Sequence, residues 1–515
     1  MDTVINGNNK KIEKLSREQL QLIINSPLMM LAISFMLVLC WAIDLPYIFI
    51  TLMLVYEICV FTICYENPKA LMLPLFAISF SITSIYGVAR WIFYSIIIFL
   101  FIVTLISYIV VQKVKYKKQF KKGSMLYFFV LAGIGNCLGG IIGFFEFKTF
   151  LIVLAFCMLV YFFYWFFINF LSKDAYKYFA VVMIFVSLII SAELVIGYIR
   201  AGIFFDVMFN KIITVGTGQI NGAATFMIIG VSSCFYLAKG SKRDYLYILL
   251  ALLLDVVIFF TYSRMALFCS VLISVIYFFV VLKSSCHKKS LIIALCSLIA
   301  VGVVFVICFW QQVINIANYY IKLGFSQNGR ASLWEYVAGQ FVKNPVFGIG
   351  FITKDIYILA NVVPGMSNLG GWTLVNAHNV LLHFLACTGI VGALLNLPFY
   401  IKKYTMVFTK FNDFKFFTLI NYIFIFISSC FDPSPNMDIF FIVILIMFYA
   451  LVEIDNQTEE QINKSKTIIT SKNTIVLSKT NSQQANLSQK DIIIKNILLS
   501  RAEQKLKVKF VQDTK

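Results

Sequence analysis

Two of the three histidines in this 515-residue chain lie close together in the stretch NAHNVLLHFLACTGIVG, residues 376–392. A neutral imidazole can accept a proton from an attacking hydroxyl group at physiological pH. His378 and His383 are five positions apart, about 140° around a helix, so they do not share a face as an i, i+4 zinc pair would. We therefore expect no metal site here. His378, at the polar start of the run, is either a general base or a hydrogen-bonded interfacial residue, and His383, among leucines, is interpreted as a packing residue.

The seven arginines are distributed differently from the lysines. Arg90, Arg200, Arg264 and Arg330 fall at ends of apolar runs or in connections that are poor in lysine. A guanidinium plane suits phosphate oxygens better than a lysine point charge does, although each arginine could instead reach the lipid interface as a snorkelling residue. Arg264 is the stronger candidate, since TYSRMAL is predicted to be the tip of a tight helical hairpin.

The elements that must carry these residues are membrane helices. The chain is 60% hydrophobic and 17% aromatic, far above what a water-soluble core requires, so we predict an all-α, polytopic membrane protein. Twelve cysteines are scattered through the apolar runs and are interpreted as small buried hydrophobes. About fourteen runs approach the ~20 residues that cross a bilayer. They lie at 27–43, 46–64, 70–88, 91–111, 124–144, 150–171, 178–198, 223–238, 246–262, 265–282, 291–310, 380–400, 416–431 and 439–454.

The connections between these runs predict their orientation. Lysine accumulates in alternate connections, such as KVKYKKQFKK, SKDAYK and KGSKRD, and lysine-rich connections are typical of the cytoplasmic side. Both termini are therefore predicted to be cytoplasmic, with residues 1–26 as an N-terminal segment that carries no removable signal peptide. Residues 27–454 form the membrane domain, and residues 455–515 form a basic, largely disordered tail.

The longest outer connection, residues 311–379, has its own organisation. In SLWEYVAGQFVKNP, Ser332 and Glu335 have the spacing of a capping box, and Pro345 follows the helix that the spacing predicts. The apolar positions of that helix form one face, so we expect it to lie at the membrane surface; they are Leu333, Trp334, Val337, Phe341 and Val342. Arg330 lies just before its predicted start, where free backbone amides favour an anion.

Glycines recur at every fourth position in the fifth apolar run, at Gly135, Gly139 and Gly143. This spacing brings two helix backbones close together in membranes, so we predict a helix-packing face.

Three motifs together resemble the bacterial O-antigen ligase and polymerase family. His378-Asn379, nine residues, Gly389, two residues and Gly392 reproduce its H-[NSQ]-x9-G-x2-[GTY] signature. The segment NGRASLWEYVAGQFVKNPVFGIGF is similar to the family's arginine- and tryptophan-bearing helix, which precedes a Pro-x-x-Gly-x-Gly turn. TYSRMAL resembles its Ser-Arg helix tip, although Met265 stands where a small residue is common. The resemblance covers roughly residues 200–400.

This resemblance implies a membrane glycosyltransferase of the GT-C type that uses neither a metal nor another cofactor. It implies a donor glycan on undecaprenyl pyrophosphate, presented at the outer face of the bacterial plasma membrane. Arg200 and Arg264 would then bind the pyrophosphate and His378 would activate the acceptor hydroxyl, while the implied glycan-binding residues are Arg330, Trp334, Glu335 and Asn379. Membrane lipid, and a flippase and a chain-length regulator of the same pathway, are the expected partners, and no nucleic acid is expected.

Three functions remain open from the sequence. A polymerase would join lipid-linked repeat units, and fourteen helices with a long outer loop favour it. A ligase would transfer the finished glycan to lipid A core or another surface acceptor. A polysaccharide flippase or other transporter should show internal repeats and mid-membrane charges, whereas only Glu57, Glu193 and Asp255 lie within the apolar runs.

Overall fold

The computed structural model describes residues 16–82, 88–143, 145–202, 220–285, 330–351, 379–431 and 441–458, with isolated positions between these ranges. Its described residues form helices and no β-strand. In chain order the helices are α1 (Ser16–Ile24), α2 (Pro27–Ala42), α3 (Pro46–Ile63), α4 (Met72–Ile82), α5 (Val88–Val114), α6 (Leu126–Cys137), α7 (Phe147–Phe170), α8 (Ala175–Ala201), α9 (Ile220–Ala238), α10 (Asp244–Phe260), α11 (Arg264–Ser284), α12 (Arg330–Lys343), α13 (Val380–Phe408), α14 (Asp413–Ser429) and α15 (Phe441–Thr458).

Seven of the described helices are long and apolar enough to cross a membrane, or eight if the bent pair α1 and α2 forms one span. The prediction of a polytopic helical membrane protein is therefore confirmed. The predicted count of fourteen crossings is not confirmed. The helices α2, α4, α6, α10 and α14 and the part of α5 counted as apolar, Phe99–Val114, are each shorter than 18 residues, and the run at 291–310 lies outside the continuous described ranges. Thirteen of the fourteen predicted runs nevertheless coincide with a described helix.

The starts of several helices follow directly from local sequence. Ser26 accepts a hydrogen bond from the Met29 amide at 3.2 Å, and Pro27 stands at the first helical position of α2, where its missing N–H costs nothing. Asn412 caps α14 in the same way, accepting from the Lys415 amide at 3.0 Å. Water cannot satisfy backbone groups in lipid, so such caps determine the residue at which the helix of an apolar run begins.

Helix α9 is the centre of the bundle. It contacts α8, α10, α11 and α14, and 83% of an 18-residue apolar stretch of this helix is buried inside the protein. Side-chain hydrogen bonds join it to α14: Ser232 donates to Asn421 at 2.9 Å, and the Thr225 and Ser428 hydroxyls lie 3.3 Å apart. A second group of helices forms around α13, which packs against α6, α12 and α14.

The lysine-rich connections contact one another at one end of the bundle. Lys69 forms an ion pair with Asp174, which joins the connections before α4 and before α8. Lys239, after α9, lies 2.5 Å from Asp413 at the start of α14. Burial alone would raise the pKa of Asp174, but hydrogen bonds from Lys69, Ser172 and Asn67 and the Lys69 charge hold it below its usual value.

The connection between α5 and α6 is fixed at this same end. The Lys121 backbone exchanges hydrogen bonds with the Asn169 side chain at 2.8 and 2.9 Å. Glu453 of α15 accepts hydrogen bonds from the Ser124 amide at 2.7 Å, the Ser124 hydroxyl at 2.9 Å and the Tyr164 hydroxyl. The alternation found in the sequence thus corresponds to a physical partition, with lysine-rich connections gathered at what we call the lysine end.

The chain divides into two compact units, Met1–Ile454 and Asp455–Lys515. The second unit is described only as far as Thr458, where α15 ends, so the predicted disorder of the tail lies outside the described residues.

Candidate functional site at the arginine end

Arg200 lies in the last turn of α8, at the end of this helix opposite the lysine end, and its side chain is exposed. Its guanidinium donates to the carbonyl of Ala42, the last residue of α2, and lies 5.4 Å from the ring centroid of Trp41. Gly202 ends the helix with φ +82°. We call this end of the bundle the arginine end.

Arg264 is the first residue of α11 and is half-buried. Only three residues separate α10 from α11, so the predicted tight hairpin is confirmed. Thr261 stabilises the turn by donating to the Ile258 carbonyl at 2.6 Å and accepting from the Ser263 amide at 3.3 Å. The turn requires Tyr262 to adopt φ +56°, in the left-handed region of backbone conformation that residues other than glycine rarely occupy.

One hydrogen bond brings the ends that carry these two arginines together. The Tyr198 hydroxyl, two residues before Arg200, donates to the Phe260 carbonyl, four residues before Arg264. A cation at the N-terminus of a helix adds to the positive end of the helix dipole, so Arg264 makes the tip of this hairpin more attractive to an anion.

Helix α12 carries three further candidates. The helix already includes Arg330, two residues before Ser332, so the predicted capping box at Ser332 is wrong. Trp334 is half-buried and Glu335 is exposed. Of the predicted apolar face, Val337 is 3% exposed against the bundle whereas Val342 is 73% exposed. The helix ends at Lys343, as Pro345 predicts.

Asn379 is the N-cap of α13 and accepts hydrogen bonds from the amides of Leu381 and Leu382 at 3.1 Å each. His378 lies outside the described residues. His383 is 7% exposed, with its Nε2 atom 3.6 Å from the Cys387 sulfur and its ring 6.4 Å from that of Phe351, an environment that supports the packing role predicted for it.

Helix α13 is broken at Gly389, and the turn after α12 fills the break. A continuous helix would bond the Ile390 amide to the Ala386 carbonyl and the Val391 amide to the Cys387 carbonyl. Here these two amides donate to the carbonyls of Pro345 and Val346, at 2.8 and 3.1 Å. The carbonyls of Ala386 and Cys387, which lose these amides, accept instead from the amides of Ile349 and Gly350, each at 2.8 Å.

The end of α6 joins this arrangement as a third segment. The Gly140 amide donates to the Phe347 carbonyl at 2.9 Å. We call the three segments, residues 139–140, 345–350 and 386–391, the interlock. Its hydrogen bonds satisfy every backbone group that the broken helix loses at residues 386, 387, 390 and 391.

The glycine pattern predicted in α6 is right in part. A Cβ on Gly135 would lie 2.9 Å from Leu395 and one on Gly139 would lie 2.7 Å from the Cys387 carbonyl oxygen, so both allow the close approach of α13. The helix ends at Cys137, however, so Gly143 lies beyond it, and no atom of the described part of the chain lies within 4 Å of such a Cβ on Gly143. The assignment of Gly143 to a helix-packing face is therefore wrong.

Two of the three acids in the apolar runs accept hydrogen bonds within the bundle. Glu193, which is fully buried, accepts from the Gly216 amide at 2.8 Å, and Asp255 accepts from Ser274 of the neighbouring helix at 2.5 Å. Glu57 is also buried. The sequence does not predict the interlock. Its glycine motifs, at Gly348 and Gly350 and at Gly389 and Gly392, are visible in the sequence, but they do not indicate which segments contact each other.

Fold and site together define a polytopic helical membrane protein with two arginine-bearing helix ends joined at one end of the bundle. Residues 247–397 match the O-antigen ligase family. The resemblance to the O-antigen ligase and polymerase family is therefore confirmed, for a stretch that runs from α10 to beyond the break of α13. It includes Arg264, Arg330, Trp334, Glu335, His378 and Asn379. Arg200 precedes the matched residues. A search of curated proteins gives no match.

Proposed function

We propose that this chain is a polysaccharide polymerase that joins oligosaccharide repeat units carried on undecaprenyl pyrophosphate. In this proposal the arginine end faces the outer side of the bacterial plasma membrane, and both termini are cytoplasmic. The observation that carries the proposal is the joined ends of α8 and α10, where a hydrogen bond links Tyr198, two residues before Arg200, to Phe260, four residues before Arg264. Two forked cations at headgroup depth suit a pyrophosphate between a lipid and a sugar.

The chemistry is a single displacement at the anomeric carbon of the donor sugar. The acceptor hydroxyl oxygen forms the new glycosidic bond as the bond from the anomeric carbon to the pyrophosphate oxygen breaks. Charge develops on the leaving pyrophosphate, where Arg200 and Arg264 stabilise it, and His378 takes the hydroxyl proton. A direct displacement of this kind inverts the anomeric configuration.

The remaining candidates are proposed to bind glycan. Arg330, Trp334 and Glu335 lie on α12, which packs against the helix that Asn379 caps. An aromatic ring, a guanidinium and a carboxylate on one short helix offer a stacking surface and hydrogen-bonding groups for sugar hydroxyls.

A ligase is the second candidate, favoured by the description of the family that matches residues 247–397. A ligase would use the same donor and the same arginines. It would differ in its acceptor, a lipid A core or another surface molecule in place of a lipid-linked repeat unit.

Deletion of the gene followed by gel analysis of surface polysaccharide separates the two functions. A polymerase mutant should carry one repeat unit per anchor, because chains no longer grow. A ligase mutant should accumulate long polymer on undecaprenyl pyrophosphate. Unchanged surface polysaccharide would contradict both.

A further inference from the structure

The interlock connects α12, the proposed glycan-binding helix, to α13, the helix that Asn379 caps. Helix α12, with Trp334 and Glu335, runs directly into residues 345–350, and these residues lie within the break of α13, about two and a half turns beyond its Asn379 cap. The exchange of hydrogen bonds across the break therefore ties α12 to the start of α13.

The backbone conformation at the break is restricted to glycine. Gly389 has φ +64° and ψ −169°, a region that residues with a side chain essentially do not enter. A Cβ at this position would lie 2.3 Å from the Val346 carbonyl oxygen. Within the turn, Gly348 has φ +63°, and its Cβ would lie 2.4 Å from the Ala386 carbonyl oxygen.

The α6 segment adds a third constraint of the same kind. Gly140 has φ +74°, and a Cβ there would lie 2.9 Å from both the Gly350 amide nitrogen and the Ile349 carbonyl. Each of the three segments thus contributes a glycine without which the backbones could not approach to hydrogen-bonding distance.

We propose that Gly389, Gly348 and Gly140 are positioning residues, which act through the interlock to hold the start of α13 against α12. This inference rests on the proposed function for its catalytic consequence. The glycines touch neither donor nor acceptor. They fix the start of α13, which Asn379 caps and which directly follows the proposed base in the sequence, relative to the glycan-binding helix. Arg200 and Arg264 lie on α8 and α11, outside the interlock.

Substitution should therefore separate the chemical step from donor binding. In Gly389→Ala we expect kcat to fall on the order of 10²-fold, the effect of a displacement of about 1 Å at a reacting group. The affinity for the pyrophosphate part of the donor, measured with undecaprenyl pyrophosphate alone, should stay close to that of the unmodified protein, because the arginines are not displaced. Gly339→Ala is the matched control, since Gly339 lies on α12 and no atom of the described residues lies within 4 Å of a Cβ built there.

A second readout tests the interlock without reference to activity. Spin labels at two exposed positions, Val342 on α12 and Leu381 at the start of α13, report the distance between the two elements by pulsed electron paramagnetic resonance on the full-length protein, with reactive native cysteines replaced. The distance should shift or broaden in Gly389→Ala and stay unchanged in Gly339→Ala. Gly140→Ala, with its longer Cβ contact, should give a smaller change of the same kind.

The outcomes distinguish the two proposals. An unchanged spin-label distance in Gly389→Ala overturns the interlock as a positioning device, as does a changed distance with an unaltered kcat. If Gly389→Ala and Gly140→Ala both fail to insert while Gly339→Ala inserts normally, the interlock is required for folding and the positioning role is also rejected. A protein that shows the expected distance changes but never transfers lipid-linked glycan contradicts the proposed function instead.

Discussion

At the scale of single residues, Arg264 is at a position that does not favour the stability of its helix. The helix dipole disfavours a cation in the first turn, and this cost falls on the stability of α11. An anion bound at this position would offset that cost. The same reasoning applies to Arg330, which is already helical in α12.

If Arg264 binds pyrophosphate through both arms of its fork, Arg264→Lys should keep the charge and lose most of the activity. Removal of one preorganised donor to the transition state costs roughly 10²–10³ in rate. Arg243→Lys, an exposed arginine at the lysine end, is the control and should retain activity. Polymerisation by purified Arg264→Lys at the unmodified rate would show that Arg264 only snorkels.

The two histidines should respond differently to substitution. His378→Ala should lower the rate by about 10²–10⁴, the usual contribution of a general base. His383→Leu should have a much smaller effect, because it fills a buried packing position with an apolar side chain. Radiolabelled polymer formed by equal amounts of inserted protein is the measurement.

A pH profile of the same reaction identifies what His378 does. A base must be neutral, so activity should fall as the pH drops below about 6.5, the reference value for imidazole. A gain in activity on acidification would instead indicate a cationic ligand of the phosphate. Normal polymerisation by His378→Ala, with loss in His383→Leu, would mean that the roles are reversed.

At the scale of helices, the sequence predicts which segments are helical better than it predicts where each helix begins and ends. Apolar runs of nearly the right length identify α2, α3 and α8 to within a few residues, since a helix satisfies the backbone groups of such a run within the run itself. The start of α12 was misplaced because a Ser-x-x-Glu pattern can also occur inside a helix. The break at Gly389 could not be predicted, because it depends on a turn that lies about forty residues upstream in the sequence.

Asn379 has a structural role that must be separated from glycan binding. Loss of the cap in Asn379→Ala should lower the stability of the protein by about 1 kcal/mol, whereas Asn379→Asp keeps an acceptor oxygen and should not. If the amide NH2 binds a sugar hydroxyl, both variants should lose activity. Thermal unfolding and glycan transfer, measured on the same preparations, give the two answers separately, and full activity in Asn379→Asp would reduce the role of this residue to capping.

At the scale of the whole molecule, the lysine end predicts the orientation of the bundle. The contacts of Lys69 with Asp174 and of Lys239 with Asp413 join connections that the positive-inside rule assigns to one side. In intact cells, an impermeant thiol reagent should label a cysteine placed at Trp334 and leave one at Lys402 unlabelled until the membrane is opened. The opposite pattern would put the arginine end in the cytoplasm and remove the site from its proposed substrate.

The tail should be dispensable for chemistry. Residues 459–515 follow α15 and are predicted to be cytoplasmic, on the side of the membrane away from the proposed donor. A chain ending at Thr458 retains Glu453 and should form glycosidic linkages at the normal rate. Loss of all polymer by a truncated protein that inserts at normal levels would refute this.

The contacts of the α5–α6 connection imply an order of events during synthesis. Glu453, the partner of Ser124, is synthesised 329 residues after it. Asn396, whose side chain lies 3.0 Å from that of Asn136 on α6, is synthesised 260 residues after Asn136. At about 5–20 residues per second, the ribosome needs tens of seconds to supply them. Throughout that interval α6, with its close-approach glycines, must stay in the bilayer without α13. The nascent chain is thus an open half-bundle for most of its synthesis, and it is in this period that lipid, the insertion machinery or a second copy can occupy the place that α13 later takes.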